Sequence, residues 1–242
     1  IGAPVLGHAI QDATPDVEHG PYPLMIFAHG MNNIRLMFPY LNEHIASMGF
    51  VVMAMDYVDS WSSPNEPLSR MLFTRPTDIS WQIDYAEILT ANGEDLEGMI
   101  DTERIAVVGH SLGGYTALAA AGAPLDLQWF SSVAEEHPEY CVLPPESGSV
   151  DACASILSSA QELAEIAGLE TVPTGLWPSW GDPRIDTIVA LAPLAAVFGP
   201  ESLSGVNVPT MLMGASADRS NSPETNRSEE RRVGKECRSR WS

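Results

Sequence analysis

The sequence predicts an α/β protein built on a mostly parallel sheet with helices on both faces. Two observations carry that expectation. Short apolar runs of strand length alternate with stretches of helical period. The runs are apolar throughout rather than alternating, as strands covered on both faces are. A third observation ties the pattern to chemistry: Gly109-His110-Ser111-Leu112-Gly113 falls between one such run and an alanine-rich helix.

Taken in order, residues 24–28 (LMIFA) form the first buried strand after Pro23. His29-Gly30-Met31-Asn32-Asn33 follows as a loop. Ile34, Phe38, Leu41, Ile45 and Met48 recur at helical spacing until Gly49 stops the helix. Residues 50–55 (FVVMAM) read as a second strand, and the Ser-, Pro- and Asn-rich stretch 59–76 as an exposed loop. Thr77 or Asp78 caps a helix that runs to about Ala91, before Asn92-Gly93. Residues 105–108 are a third strand, and the helix after Ser111 ends near Gly122.

Residues 124–184 break this rhythm. They hold prolines and one helix with Ala152, Ile156, Ala160, Leu163 and Ala167 on a face, and read as a cap-like excursion over the sheet's C-terminal edge. Strands at 185–191 and 208–214 resume the sheet. No internal repeat is present.

The chain carries 12 basic and 32 acidic side chains, a net charge of −20. Such a surface repels nucleic acid and anionic membrane. No apolar run reaches the ~18–20 residues of a membrane span, so stable membrane insertion is not expected. The length fits one domain. The chain opens at Ile1, which is consistent with removal of a leader or of further N-terminal residues.

Half of the basic residues (Arg227, Arg231, Arg232, Lys235, Arg238, Arg240) crowd into the last 16 positions. The string RSEERRVGKECRSRWS from Arg227 to Ser242 resembles the in-frame translation of a sequencing adapter. The native domain is therefore expected to cover 1–226, with 227–242 a non-native tail; a natural basic, disordered tail is the alternative. Cys237 belongs to that tail. Cys141 and Cys153 remain, and read either as a disulfide, which would suit an exported protein, or as two reduced, buried cysteines. With no C-x-x-C and no histidine cluster beside them, neither reads as a nucleophile or a metal ligand.

The G-x-S-x-G string between strand and helix is the context of a nucleophile elbow. The turn forces the serine into a strained conformation, the glycines remove clashing side chains, and the helix aims its N-terminus at the developing oxyanion. His29-Gly30-Met31 follows a strand upstream, so the N–H groups of Met31 and Leu112 are the expected oxyanion hole. The side chain of Met31 reads equally as acyl-pocket wall or as core, and His29 as a structural histidine. Gly214-Ala215-Ser216-Ala217-Asp218 follows the last strand, and the chain order Ser…Asp…His makes Asp218 the expected acid; Asp182 and Asp186 are weaker candidates because each precedes a strand. Trp177 and Trp180 read as pocket walls or as packing residues of the excursion.

From Tyr22 to Asn226 the chain resembles the platelet-activating-factor acetylhydrolase and dienelactone-hydrolase-like branch of the α/β-hydrolases. The stretches that carry the likeness are YPLMIFAHG, TRPTDISWQID, IDTERIAVVGHSLGGYTALAAAGAP, DPRIDTIVALAP and VPTMLMGASAD. Cutinase-like polyester hydrolases share several of them. The resemblance implies a serine esterase with Ser111 as nucleophile, Asp218 as acid, and the Met31 and Leu112 amides as oxyanion hole. It implies a small-molecule ester as substrate, and neither metal nor organic cofactor.

One departure stands out. The family's base histidine follows the acid, whereas the histidines here are at 8, 19, 29, 44, 110 and 137. The expectation is a domain truncated at both ends and inactive as written, with the base beyond Asn226. Rival readings are an acyltransferase or peptidase on the same scaffold, and a binding module that has lost its base. Oligomeric state and substrate specificity are not legible in these residues.

Overall fold

A computed structural model describes residues 7–57, 68–138, 141 and 151–214. Asp218 and the tail 227–242 lie outside the described residues, as do parts of the excursion. The elements are β1 (Tyr22–Ala28), α1 (Pro39–Ser47), β2 (Val51–Met53), α2 (Leu68–Thr90), β3 (Ile100–His110), α3 (Leu112–Ala120), α4 (Leu127–Glu136), α5 (Ala152–Ser158), α6 (Ala160–Ile166), β4 (Thr187–Leu191) and β5 (Thr210–Met213).

The five strands form one sheet in the order β2-β1-β3-β4-β5, and every neighbouring pair is parallel. This is the mostly parallel, helix-covered sheet of an α/β-hydrolase. Residues 24–28 of β1 are buried to within 2% because the strand sits inside the sheet with covered faces. From β1 the chain moves out to β2, then returns past β1 to β3. Right-handed crossovers put α1 and α2 on opposite faces, and the order reverses between β1 and β3. The C-terminal ends of those two strands flank the crevice where such sheets bind ligands. Ala28 pairs with Gly109 there, so the loops at His29 and Ser111 leave the sheet side by side.

Several boundaries differ from the sequence reading. Helix α2 begins at Leu68, inside the stretch read as a loop, and Pro76 lies within it. Proline cannot donate to the carbonyl four residues back. That carbonyl, Leu72 O, instead accepts from the Tyr115 hydroxyl of α3 at 2.5 Å, so the helix continues through the proline. Helix α1 begins only at Pro39, because Phe38 takes a left-handed conformation (φ 58°) and Pro39 suits the first helical turn.

The excursion contains α4, which its sequence did not reveal, and its later helix divides at Ser159 into α5 and α6. Both pack on α2. Its two ends meet at the far end of α3 from Ser111: Trp177 N–H donates to Leu125 O and Asp182 N–H to Ala120 O, each at 2.8 Å. The described part thus packs against the helical layer. Apolar faces on α2 and α3 draw it there. Arg184 anchors the exit, reaching Asp182 (2.6 Å), Asp84 (2.7 Å) and Glu87 (2.9 Å). Burial raises the Asp182 carboxyl, but hydrogen bonds from Arg184 and Ser80 outweigh it and hold the group below its ordinary range. Cys141 and Cys153 form a disulfide with Cα atoms 5.0 Å apart. Among the described residues no helix is long and apolar enough to cross a membrane.

Candidate active site

Ser111 stands at the apex between β3 and α3 with φ 57° and ψ −119°. A β-carbon disfavours this region, so the neighbours must enforce it. They do so by proximity. A β-carbon at Gly113 would lie 1.9 Å from Ala28 O, and one at Gly109 would lie 2.0 Å from Gly113 O. Only glycine permits the helix to approach the strands this closely. Backbone bonds then fix the turn. Ser111 N–H donates to Leu191 O (2.9 Å), while its carbonyl accepts from Gly114 N–H (2.9 Å) and Leu194 N–H (3.1 Å). Leu112 is the first residue of α3, and the N–H groups of a helix's first turn have no intrahelical acceptor.

The His29 loop lies against this apex. A β-carbon on Gly30 would sit 3.4 Å from both Ser111 Cβ and His110 O. His29 is fully buried, and its Nδ1 lies 2.8 Å from Gly30 O. Since a carbonyl only accepts, Nδ1 carries the proton. Met31 is partly buried and packs against the core. The ring of His110 lies 5.0 Å from that of Phe38, which also meets Phe27 at 5.4 Å. Both histidines are thus built into the walls.

Asp182 and Asp186 stand elsewhere. Asp186, just before β4, accepts from Ile105 N–H at 2.7 Å, and Asp182 is held by Arg184. Trp180 packs edge-on against Phe73 at 5.2 Å, and Trp177, 3% exposed, is core. Trp177 also lines a cavity of about 590 Å³ with Gly122, Ile185 and Val208. That cavity opens at the N-terminal edge of the sheet, the opposite end from Ser111. Sequence reasoning passed over Arg75, a fully buried cation beneath the His29 loop. Its only signal was an arginine beside Pro76 within a stretch read as exposed.

Sheet, switch point and elbow together define an α/β-hydrolase. Residues 7–134, more than half of the chain, match the family model described as Chlorophyllase, and the chain belongs to that family. It is 31% identical over 111 residues to Cutinase est1 of Thermobifida alba, covering 46% of this chain and 34% of that protein. It is 28% identical over 135 residues to the platelet-activating factor acetylhydrolase of Cavia porcellus, covering 40% and 31%. The structure superposes on a ferulic acid esterase from Streptomyces cinnamoneus with TM-score 0.50 and 21% identity, covering 89% of this chain and 48% of that one, a likeness of fold. The chain spans about a third of the length of the curated relatives it matches. These relatives are hydrolases and esterases by name.

Proposed function

We propose that the chain is the nucleophile-bearing part of a serine carboxylic-ester hydrolase acting on short-chain or lipid-like esters. The observation that carries this reading is the backbone of Ser111, φ 57° and ψ −119° at the head of a helix. Nothing in strand–helix packing alone calls for a serine held in that conformation.

In this reading Ser111 Oγ attacks the ester carbonyl and the N–H groups of Met31 and Leu112 receive the oxyanion. Each such donor contributes about 3–4 kcal/mol to the transition state. The alcohol leaves, and water clears the acyl-enzyme. Asp218, a few residues past β5, orients the base. No histidine follows Asp218 in the sequence. By itself this chain is therefore expected to give only the residual catalysis of an oxyanion hole, about 10³–10⁴ over water. The match to a cutinase supports a second reading on the same residues, hydrolysis of a polyester.

The test is hydrolysis of p-nitrophenyl butyrate by the folded chain beside Ser111→Ala. Weak turnover that survives in Ser111→Ala is the expected result. Fast turnover abolished by Ser111→Ala would show that a histidine already present serves as base. No turnover above buffer in either would agree with a sequence in which no histidine follows Asp218.

A further inference from the structure

Arg75 is buried with 0% exposure, as is His29, and Tyr57 is 1% exposed. The three form one cluster beneath the His29 loop. Arg75 Nη1 donates to His29 O at 2.7 Å. The guanidinium carbon lies 4.4 Å from the Tyr57 ring centre, over its face. The Tyr57 ring meets the His29 ring edge-on at 5.0 Å, and the His29 ring donates to Gly30 O. A desolvated guanidinium is expensive to bury, and one hydrophobic residue of similar size would fill the space at less cost. A buried cation kept at this position calls for a role in holding something.

What the cluster holds is a pair of consecutive carbonyls, His29 O through Arg75 and Gly30 O through the His29 ring. The C=O and N–H of one trans peptide point in opposite directions. Fixing Gly30 C=O toward the His29 ring therefore fixes Met31 N–H the other way. Fixing His29 C=O toward Arg75 does the same for Gly30 N–H. We propose that Arg75, with Tyr57 and the His29 ring, positions the Gly30–Met31 peptide, so that Met31 N–H is preset before an ester binds. This rests on the reading of Met31 N–H as an oxyanion donor. Arg75 itself touches no reacting atom and is a positioning residue.

The experiment measures two things on the full 242-residue chain, as wild type, Arg75→Met and Arg75→Lys. The first is the ¹⁵N order parameter of Gly30 and Met31. The second is kcat and KM for p-nitrophenyl butyrate. In the wild type the two amides should be as rigid as the strands, about 0.85, and in Arg75→Met they should fall below about 0.6 while β1 stays rigid. Arg75→Lys keeps a cation and a donor and should recover part of the order. Turnover in Arg75→Met should drop roughly 10- to 100-fold in kcat with KM nearly unchanged, because a misplaced donor is felt in the transition state. Unchanged order at Gly30 and Met31, or loosening that spreads equally through β1, overturns the proposal. If Arg75→Met does not fold, Tyr57→Leu leaves the cation in place and should loosen the same two amides; rigid amides there count equally against it. A wild type without turnover agrees with the lack of a histidine after Asp218, and the order parameters then decide whether Arg75 holds the loop.

Discussion

The Tyr115 hydroxyl donates to Leu72 O at 2.5 Å, taking the place of the amide hydrogen that Pro76 lacks. One bond thus joins the helix behind Ser111 to the helix beside it, at the point where the latter would otherwise break. Tyr115 also stacks on Phe198 at 5.2 Å, so its ring is wedged and the hydroxyl has little freedom. Tyr115→Phe should lose about 1–3 kcal/mol by leaving a buried acceptor unmet. In a Pro76→Ala background the amide returns to Leu72 O, and the same substitution should cost clearly less. A double-mutant cycle by urea denaturation reads the coupling directly.

Gly113 faces Ala28 O with no room for a side chain. Gly113→Ala should destabilise the fold by about 3 kcal/mol or more, since backbone and not a flexible side chain stands in the way. Gly93 has a positive φ, 85°, and open space around it. Gly93→Ala should cost only the conformational strain, about 1–2 kcal/mol. Melting temperatures of the two variants separate crowding from strain.

The bond between Cys141 and Cys153 closes a loop with 12 residues of separation. Reduction, or Cys153→Ser, should lower stability by about 3 kcal/mol through the unfolded chain. Thermal melts with and without reductant measure it, and α5, whose second residue is Cys153, should lose amide protection first.

Asp182 is held below the ordinary carboxylate range in the folded state. A depressed folded-state pKa means that its stabilisation is present above the unfolded value and is lost as pH falls through the folded one. Wild type should therefore exceed Asp182→Asn in stability at neutral pH, and the two should converge below about pH 4. Denaturation midpoints across pH 2–7 check both the sign and the window.

The parallel sheet was legible because apolar runs such as LMIFA have one simple reading, a strand buried on both faces. The tight turn at Ser111 was legible because its glycines and serine fall at fixed offsets between two such elements. The first turns of helix α2 were not, because Pro76 is a local stop signal and its remedy, Tyr115, lies 39 positions further along the chain. The course of the excursion was equally hidden. Its exit is anchored on α2 by the pairing of Arg184 with Asp84 and Glu87, contacts between residues about a hundred positions apart. Asp218 lies outside the described residues, so its role remains part of the proposal.

Arg184 gathers three carboxylates around one guanidinium in a chain of 12 basic and 32 acidic side chains. Its bonds act at contact distance and resist screening, whereas the repulsion among the remaining acids acts across the surface. Dissolved ions shorten the reach of a charge to about 10 Å at 0.1 M and about 3 Å at 1 M, and so quench repulsion before they loosen contacts. Brine should accordingly tighten this fold, and fresh water should be the harsher solvent for it.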